Sequence, residues 1–438
     1  MSNLPELDLH DQDPELSRWI ESSLGGRILR SYRTAIGGSR TTYLVDVGRD
    51  DGIAAVVARC EGQGSFTGSE LTLAREATAY RALAATPVPS PDVLTQRDDG
   101  SCVILERLRG THDLDALDEA ERASAMDDFI HVLAQLHLLD PDELDLPGFP
   151  HPTSAEDHAR LDIAMWQRLA SGVDDLDPLL AYCGSWLHRS APTTVARTSF
   201  VQGDTGPGNF LVHEGRVSGL VDLEFAHLGD PMDDLAWLLM RMRVERHEAD
   251  EIFQRYEQAS GIPIDEDSVR YYRLAVEYRC AITTSLAVTR GGGARGFAPY
   301  LMVTHRYLDG VARRIGALTG VEVGPIEVSV EPTPQRPLFD QLLADVRASV
   351  KSIGDHEVRE RTRNAQIFVH YLRAHDQYGE TITELDRQDR VAAFGDDIGD
   401  AELVEIATEA GERADLDVLA YLIRRQHRHD ALWQTLQR

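Results

Sequence analysis

An α+β fold is what this sequence predicts: a small five-stranded lobe, a mostly helical second lobe and a C-terminal all-α domain. Three observations predict it. Strand-like runs separated by turn signals occupy residues 27–108, and helical periodicity governs most of the chain from residue 118. A stretch over 320–336 with three prolines and no helical period sets off a further helical tail.

The elements run in order along the chain. Residues 14–24 read as a short helix in an N-terminal extension, 1–25. Three strands are expected over 27–35, 41–47 and 53–59, parted by Gly37-Gly38-Ser39 and by a turn at 48–52. A helix is expected over 69–85, where Leu73, Ala77, Tyr80 and Leu83 recur at spacings of three and four, and Pro87, Pro89 and Pro91 end it. Strands 92–96 and 102–108, joined by Asp98-Asp99-Gly100, complete a first lobe spanning 26–108. The second lobe, 109–319, is helical apart from a strand–turn–strand island at 199–223 and a glycine break at Gly291-Gly292-Gly293. Residues 320–336 form a linker and 337–438 a helical domain. There, Leu338, Phe339, Leu342, Leu343, Val346, Val350 and Ile353 mark an amphipathic helix closed by Gly354, and two or three more cover 357–378 and 401–436.

Bulk properties narrow the function classes. A formal net charge of −29 repels phosphate backbones and anionic bilayers, so neither nucleic acid nor membrane is an expected partner. A run of eighteen or more apolar residues is absent, and the acidic N-terminus lacks the apolar core of a secretory signal. A cytoplasmic protein is expected. Its four cysteines, Cys60, Cys102, Cys183 and Cys280, lie far apart without a CxxC pair, which fits reduced thiols and disfavours zinc. Lys351 is the one lysine; every other strong base is arginine.

The chemistry concentrates in residues 201–230. Asp204 and Asn209 stand five apart on a glycine- and proline-rich loop, the kind that exposes side chains. The apolar run 210–212, a turn at 213–216 and the run 217–221 form a hairpin that returns Asp222 to Asn209. Three oxygen-bearing side chains therefore converge, and a small set of hard oxygen donors suits Mg²⁺, which keeps waters and shares substrate phosphates. Phosphoryl transfer needs such a set: metal to neutralise the phosphate oxygens and one carboxylate to orient the attacking hydroxyl and take its proton. Asp204 is placed for the second role, Asn209 and Asp222 for the first. The plain alternative is that all three are turn residues, but their linked spacing favours the site.

Gly203-Asp204…Asn209, then Asp222-Leu223-Glu224, then Leu228-Gly229-Asp230-Pro231-Met232-Asp233-Asp234-Leu235-Ala236 together resemble the aminoglycoside phosphotransferase and choline kinase family, over about residues 25–315. The resemblance implies a two-lobed protein-kinase-like fold with ATP (or GTP) and Mg²⁺ between the lobes. It makes Asp204 the catalytic base and Asn209 and Asp222 metal ligands, with Glu224 supporting a second metal. In the first lobe it places Gly37, Gly38, Ser39 and Arg40 over the nucleotide phosphates. It makes Arg59 the phosphate-holding base, Glu76 its ion-pair partner, and Glu106-Arg107-Leu108 the hinge that bonds adenine through its backbone. Two residues depart from the pattern. Gln202 stands where the family has histidine, and Arg59 where it commonly has lysine; the guanidinium is a planar fork able to hold two oxygens.

Bland readings stand beside these. Gly37-Gly38 alone is a hairpin turn, and Arg59–Glu76 alone a surface ion pair. Asp230 and Asp233 read better as caps of the helix that Pro231 opens than as substrate contacts. His137, Trp166 and Trp237 read as core. The stretch Gln202-Gly203-Asp204-Thr205-Gly206-Pro207-Gly208-Asn209-Phe210, with arginine at 59, is similar to the branch of the family associated with acyl-CoA dehydrogenases, which implies a hydroxyacyl-CoA as the hydroxyl acceptor. The tail looks like a small companion domain of such kinases, expected to close the acceptor cleft or make a homodimer contact. Aminoglycosides or amino alcohols are the alternative acceptors. A nucleotide-binding pseudokinase scaffold is the alternative of another class, and the intact base and metal ligands argue against it.

Overall fold

Small and β-branched apolar residues at alternate positions build the first sheet: Val45 and Val47 on one strand, Val56 and Ala58 on the next and Ile104 on a third are all buried on one face. The five strands are β1 (Arg27–Arg33), β2 (Arg40–Arg49), β3 (Gly52–Glu61), β4 (Val93–Gln96) and β5 (Cys102–Glu106), in the order β1-β2-β3-β5-β4 and antiparallel throughout. The computed structural model describes residues 6–34, 40–62, 66, 68–243, 246–290 and 293–433. Gly37, Gly38 and Ser39, expected over the phosphates, lie outside the described residues, as do Gly291 and Gly292.

Two short helices, α1 (Leu9–Gln12) and α2 (Pro14–Leu24), cover the buried face with Leu9, Leu16 and Ile20. Asp13 fixes where α2 begins: its carboxylate accepts from Leu16 N at 2.9 Å, and Pro14 supplies the preset first position. Register also sets the fate of two thiols. Cys60 and Cys102 are directly opposed across β3 and β5, and the structure joins them as a disulfide, which corrects the expectation of four reduced cysteines. Separation along the chain was a poor guide, because antiparallel pairing brings positions 42 residues apart side by side.

The chain divides into two compact units, Met1–Asp162 with Pro192–Arg273, and Ile163–Ala191 with Leu274–Arg438. The first unit holds the sheet, α3 (Leu73–Leu83) and α4 (Glu119–Leu138). α5 (Asp157–Ala170) ends beyond this unit and is followed by α6 (Pro178–Arg189) of the second. Back in the first unit come β6 (Ser199–Val201), the hairpin β7 (Phe210–His213) and β8 (Arg216–Leu220), β9 (His227–Gly229), α7 (Pro231–Met242) and α8 (Arg246–Ser260). Phe129 of α4 stacks on Phe210 of β7 at 4.1 Å, seating the hairpin on the helix.

α9 (Glu266–Thr289) leads into the second unit, which continues with α10 (Gly293–Thr319), α11 (Arg336–Ser352), α12 (His356–Phe394), α13 (Asp400–Arg413) and α14 (Leu416–His429). Ten consecutive residues of α6, Pro178–Leu187, are buried, and α13 packs on that helix through Leu403, Ala407, Ala410 and Gly411. Arg425 of α14 is 2.8 Å from Asp177, the N-cap of α6. Residues 337–433 thus belong to the same unit as α6 and α10. The expected helix over 357–378 runs on to Phe394, past Gly379, and ends at Gly395 with φ of 82°. Among the described residues, no helix is long and apolar enough to cross a membrane.

Candidate active site

The loop between β6 and β7 is held by a carboxylate that does no chemistry of its own. Asp234 of α7 is fully buried and accepts from Gln202 N at 2.8 Å, from Gly203 N at 2.9 Å and from the Thr205 hydroxyl. His137 of α4 adds a fourth bond, Nε2 to Asp234 Oδ2 at 3.0 Å, while its Nδ1 meets the Tyr256 hydroxyl at 2.6 Å. Since a carboxylate only accepts, the ring proton sits on Nε2 and Nδ1 accepts from the tyrosine. His137 is core, as its apolar helix suggested. Gly203 takes φ of 82°, and a Cβ there would run into the Phe225 carbonyl, so the position tolerates glycine alone.

Gln202, the departure from the family's histidine, closes the loop. Its Nε2 donates to the Asn209 carbonyl at 3.1 Å and to the Val221 carbonyl at 3.0 Å, stapling both ends of the hairpin. Val221 N donates to the Asn209 carbonyl at 3.0 Å, so the hairpin does return position 222 to position 209. Asn209 Nδ2 donates to Asp204 Oδ2 at 2.7 Å and to the Asp204 carbonyl at 2.8 Å. Its side-chain amide thus faces the loop with its donor end, and its Oδ1 takes no hydrogen bond among the described residues. Asp222 adopts φ of 62°, which aspartate tolerates, and its N–H donates to the Tyr80 hydroxyl at 2.9 Å.

From the sheet, Arg59 of β3 reaches this loop. Its Nη2 is 2.8 Å from Asp222 Oδ1 and its Nε is 3.3 Å from Glu76 Oε1 of α3. The Glu76 contact has ion-pair distance without the alignment of a hydrogen bond, so the pairing with Asp222 is the better formed of the two. Glu224 is buried, and burial followed by the charge of Asp222 pushes its carboxyl up to about 8. Arg40 opens β2 instead of lying in the preceding loop. It is buried, paired with Glu61 at 2.8 Å and with the Leu71 carbonyl, and 4.0 Å from Glu224. At the hinge, Glu106 N and Arg107 N already donate to the Asp92 and Ala55 carbonyls, and Arg107 pairs with Asp46. Leu108 N–H makes no hydrogen bond among the described residues, which leaves it as the backbone donor of that segment.

Three arginine or aspartate roles escaped the sequence reading. Arg241 of α7 clamps Asp204, Nε to Oδ1 at 2.9 Å and Nη2 to Oδ2. Burial raises the Asp204 carboxyl to about 6, against the pull of Arg241. Arg75, next to Glu76, donates to the Ala226 carbonyl at 2.6 Å and stacks on Phe149 at 4.3 Å, tying α3 to the loop after Asp222. Asp234 is the third. A signal for Arg241 existed: it stands seven residues, two helical turns, beyond Asp234 and so shares the face that meets the loop. By contrast, Asp230 caps α7 as read, accepting from Met232 N at 2.9 Å ahead of Pro231. Asp233 sits 3.3 Å from His227, and Trp166 and Trp237 are buried.

The donor set suits a magnesium ion better than an all-protein cage. Among the described residues, no group of three or more His, Cys, Asp and Glu side chains is arranged to hold a metal. One amide oxygen and one carboxylate, with nucleotide phosphates and water completing the shell, match what Mg²⁺ takes.

A five-stranded antiparallel sheet with a mostly helical remainder, and an Asp–Asn–Asp loop set beneath a base from that sheet, define a kinase-like phosphotransferase. Residues 33–272, more than half of the chain, match the model of the phosphotransferase enzyme family, and the protein belongs to that family. Choline kinase LicA from Streptococcus pneumoniae shares the fold, with a TM-score of 0.53 at 16% identity over 69% of this chain and 99% of the other. The protein-kinase-like architecture is therefore borne out. A probable acyl-CoA dehydrogenase of Arabidopsis thaliana is 27% identical over 52% of this chain and 30% of its own length. Acyl-CoA dehydrogenase family member 11 of Homo sapiens is 26% identical over 50% and 30%. The chain thus matches under a third of the length of these curated relatives.

Proposed function

We propose that this phosphotransferase moves the terminal phosphoryl group of Mg·ATP, or Mg·GTP, to a hydroxyl of a small molecule, and that the acceptor is a hydroxyacyl-CoA. The observation that carries the reading is the convergence of Asp204 and Asn209, on the loop between β6 and β7, with Asp222 just past β8, and Arg59 bonded to Asp222. Bound magnesium would supply neutralisation of the phosphate charge. Asn209 and Asp222 would hold it, with Glu224 behind them. Arg59 would hold nucleotide phosphates through its fork, and Leu108 N–H would meet the base. Asp204 orients the acceptor: the hydroxyl oxygen bonds to the γ-phosphorus as the bond to the departing nucleoside diphosphate breaks, and the hydroxyl proton passes to Asp204. The names of the two curated relatives support an acyl-CoA acceptor over an aminoglycoside.

The test is phosphoryl transfer from ATP to panels of hydroxyacyl-CoA, aminoglycoside and amino-alcohol acceptors, with Asp204→Asn alongside. Loss of the base should lower kcat by about 10²–10⁴-fold at nearly unchanged Mg·ATP affinity. An Asp204→Asn protein keeping more than half of wild-type turnover would remove Asp204 from the role. Transfer to aminoglycosides alone would remove the acyl-CoA reading.

A further inference from the structure

Asp222 is gripped by its backbone, and the grip comes from a buried tyrosine of α3. Asp222 N donates to the Tyr80 hydroxyl at 2.9 Å, and Tyr80 is buried. The backbone at Asp222 has φ of 62°, a left-handed conformation that a residue bearing a side chain keeps only when its surroundings hold it there. Anchoring through the N–H leaves the carboxylate for other partners. Its Oδ1 meets Arg59 at 2.8 Å, and its Oδ2 takes no hydrogen bond among the described residues. The bond to Tyr80 involves neither oxygen, so it persists whatever the carboxylate binds. Burial raises the Tyr80 hydroxyl well above its ordinary value, which keeps it a neutral O–H with lone pairs to accept that N–H.

α3 grips the same segment a second time. Arg75 Nη2 donates to the Ala226 carbonyl at 2.6 Å and Nη1 to the Glu224 carbonyl at 3.4 Å. Residues 222–226 are therefore pinned near both ends to one helix. Glu76, 3.3 Å from Arg59, stands on that helix between the two anchors. One element thus touches the segment that bears Asp222 and the arginine that pairs with it. Resting on the phosphotransferase reading above, we propose that Tyr80 is a positioning residue for magnesium: its hydroxyl holds Asp222 in the left-handed conformation and thereby sets how tightly the site takes the metal.

The full chain tests this as wild type and as Tyr80→Phe, which keeps the ring and removes the oxygen. ATP binding is followed by calorimetry at stepped magnesium concentrations, with thermal melts alongside. Tyr80→Phe should raise the magnesium concentration at half-maximal ATP binding by about 5–10-fold, the effect of leaving one buried donor without its acceptor. The Arg75 anchor and the buried ring remain, so the variant should fold, and at saturating magnesium its ATP affinity should match wild type. An unmoved magnesium midpoint would overturn the role, whatever the Tm, and leave the hydroxyl a stabiliser of the core. A loss of ATP affinity that saturating magnesium does not restore would overturn it too, since the hydroxyl would then serve Arg59 or Glu76. So would a variant that does not fold, because the hydroxyl would then be a requirement of the fold. A wild type whose ATP binding is indifferent to magnesium sinks the phosphotransferase reading itself, before any variant is compared.

Discussion

Arg59 and Asp222 stand 163 positions apart in the chain and 2.8 Å apart in space. The pair joins the third strand of the sheet to the turn that follows the hairpin, and Glu76 flanks it at 3.3 Å. An arginine so placed holds one carboxylate, and on the reading proposed above it also takes nucleotide phosphates. Arg59→Ala should leave Asp222 and Glu76 as neighbouring uncompensated carboxylates and weaken Mg·ATP binding by at least tenfold. Arg59→Lys should restore it only in part, because an ammonium cannot span two partners as a planar fork does. Calorimetry decides; normal affinity in the alanine variant would send the phosphate clamp elsewhere.

Asp234 gathers two backbone N–H groups, a hydroxyl and an imidazole while fully buried. Replacing it by asparagine removes a charge and turns one acceptor oxygen into a donor facing donors. The expected loss is about 3–5 kcal/mol of folding stability, the range for breaking a buried charged cluster. Chemical denaturation measures it, and a loss below about 1 kcal/mol, the net worth of one ordinary hydrogen bond, would contradict this bonding pattern.

Asp230 makes stability depend on pH. Burial, ahead of all other causes, pushes its carboxyl up to about 7, while the cap bond from Met232 pulls the other way. The folded chain holds this proton where the unfolded chain has released it, so a cost is absent below the ordinary carboxylate value and complete above about pH 7. Asparagine keeps the cap and removes the ionisation. Asp230→Asn should therefore stabilise by up to about 4 kcal/mol at pH 8, about 1.4 kcal/mol for each pKa unit of the upward shift, and by under about 1 kcal/mol at pH 4. Thermal melts at both values check the difference, and an equal effect at both would refute it.

Gly411 sets two effects against each other. Inside a helix, alanine is favoured over glycine by up to about 1 kcal/mol, and Gly411 stands in the last turn of α13, where the gain is smaller. Yet a Cβ at Gly411 would collide with the Tyr182 carbonyl of α6, and overpacking costs about 1–3 kcal/mol. The backbone contact should win, so Gly411→Ala is expected to lower Tm. A rise in Tm would place α13 farther from α6.

Much of this was legible in the sequence because it is local. Turn signals bounded the strands, Asp230 ahead of Pro231 marked a helix start, and the loop spacing placed Asp204, Asn209 and Asp222 together. What was illegible is where a side chain finds a partner far along the chain. Arg40 looked like a loop residue, but burial and Glu61 claim it. Cys60 and Cys102 looked unrelated until strand register paired them. The helix expected over 357–378 runs on through Gly379, which lies against the His375 ring where a Cβ would stand 2.9 Å from Nδ1. Periodicity shows that a helix has an apolar face; it does not say which helix covers that face.

The tail of the second unit carries a consequence of that kind. Residues 321–333 adopt no regular structure, and a protease would find its easiest cut there. Cleavage should not release helices α11 to α14. Gly411 against Tyr182 and Arg425 against Asp177 hold α13 and α14 on α6, and the Gly324 and Val330 carbonyls are themselves bonded to His427 and Gln377. A nicked chain would elute as one particle, and two fragments expressed separately would reassemble into it. The covalent connection at residues 321–333 is then a tether for assembly, and the lasting bond between the pieces is the packing itself.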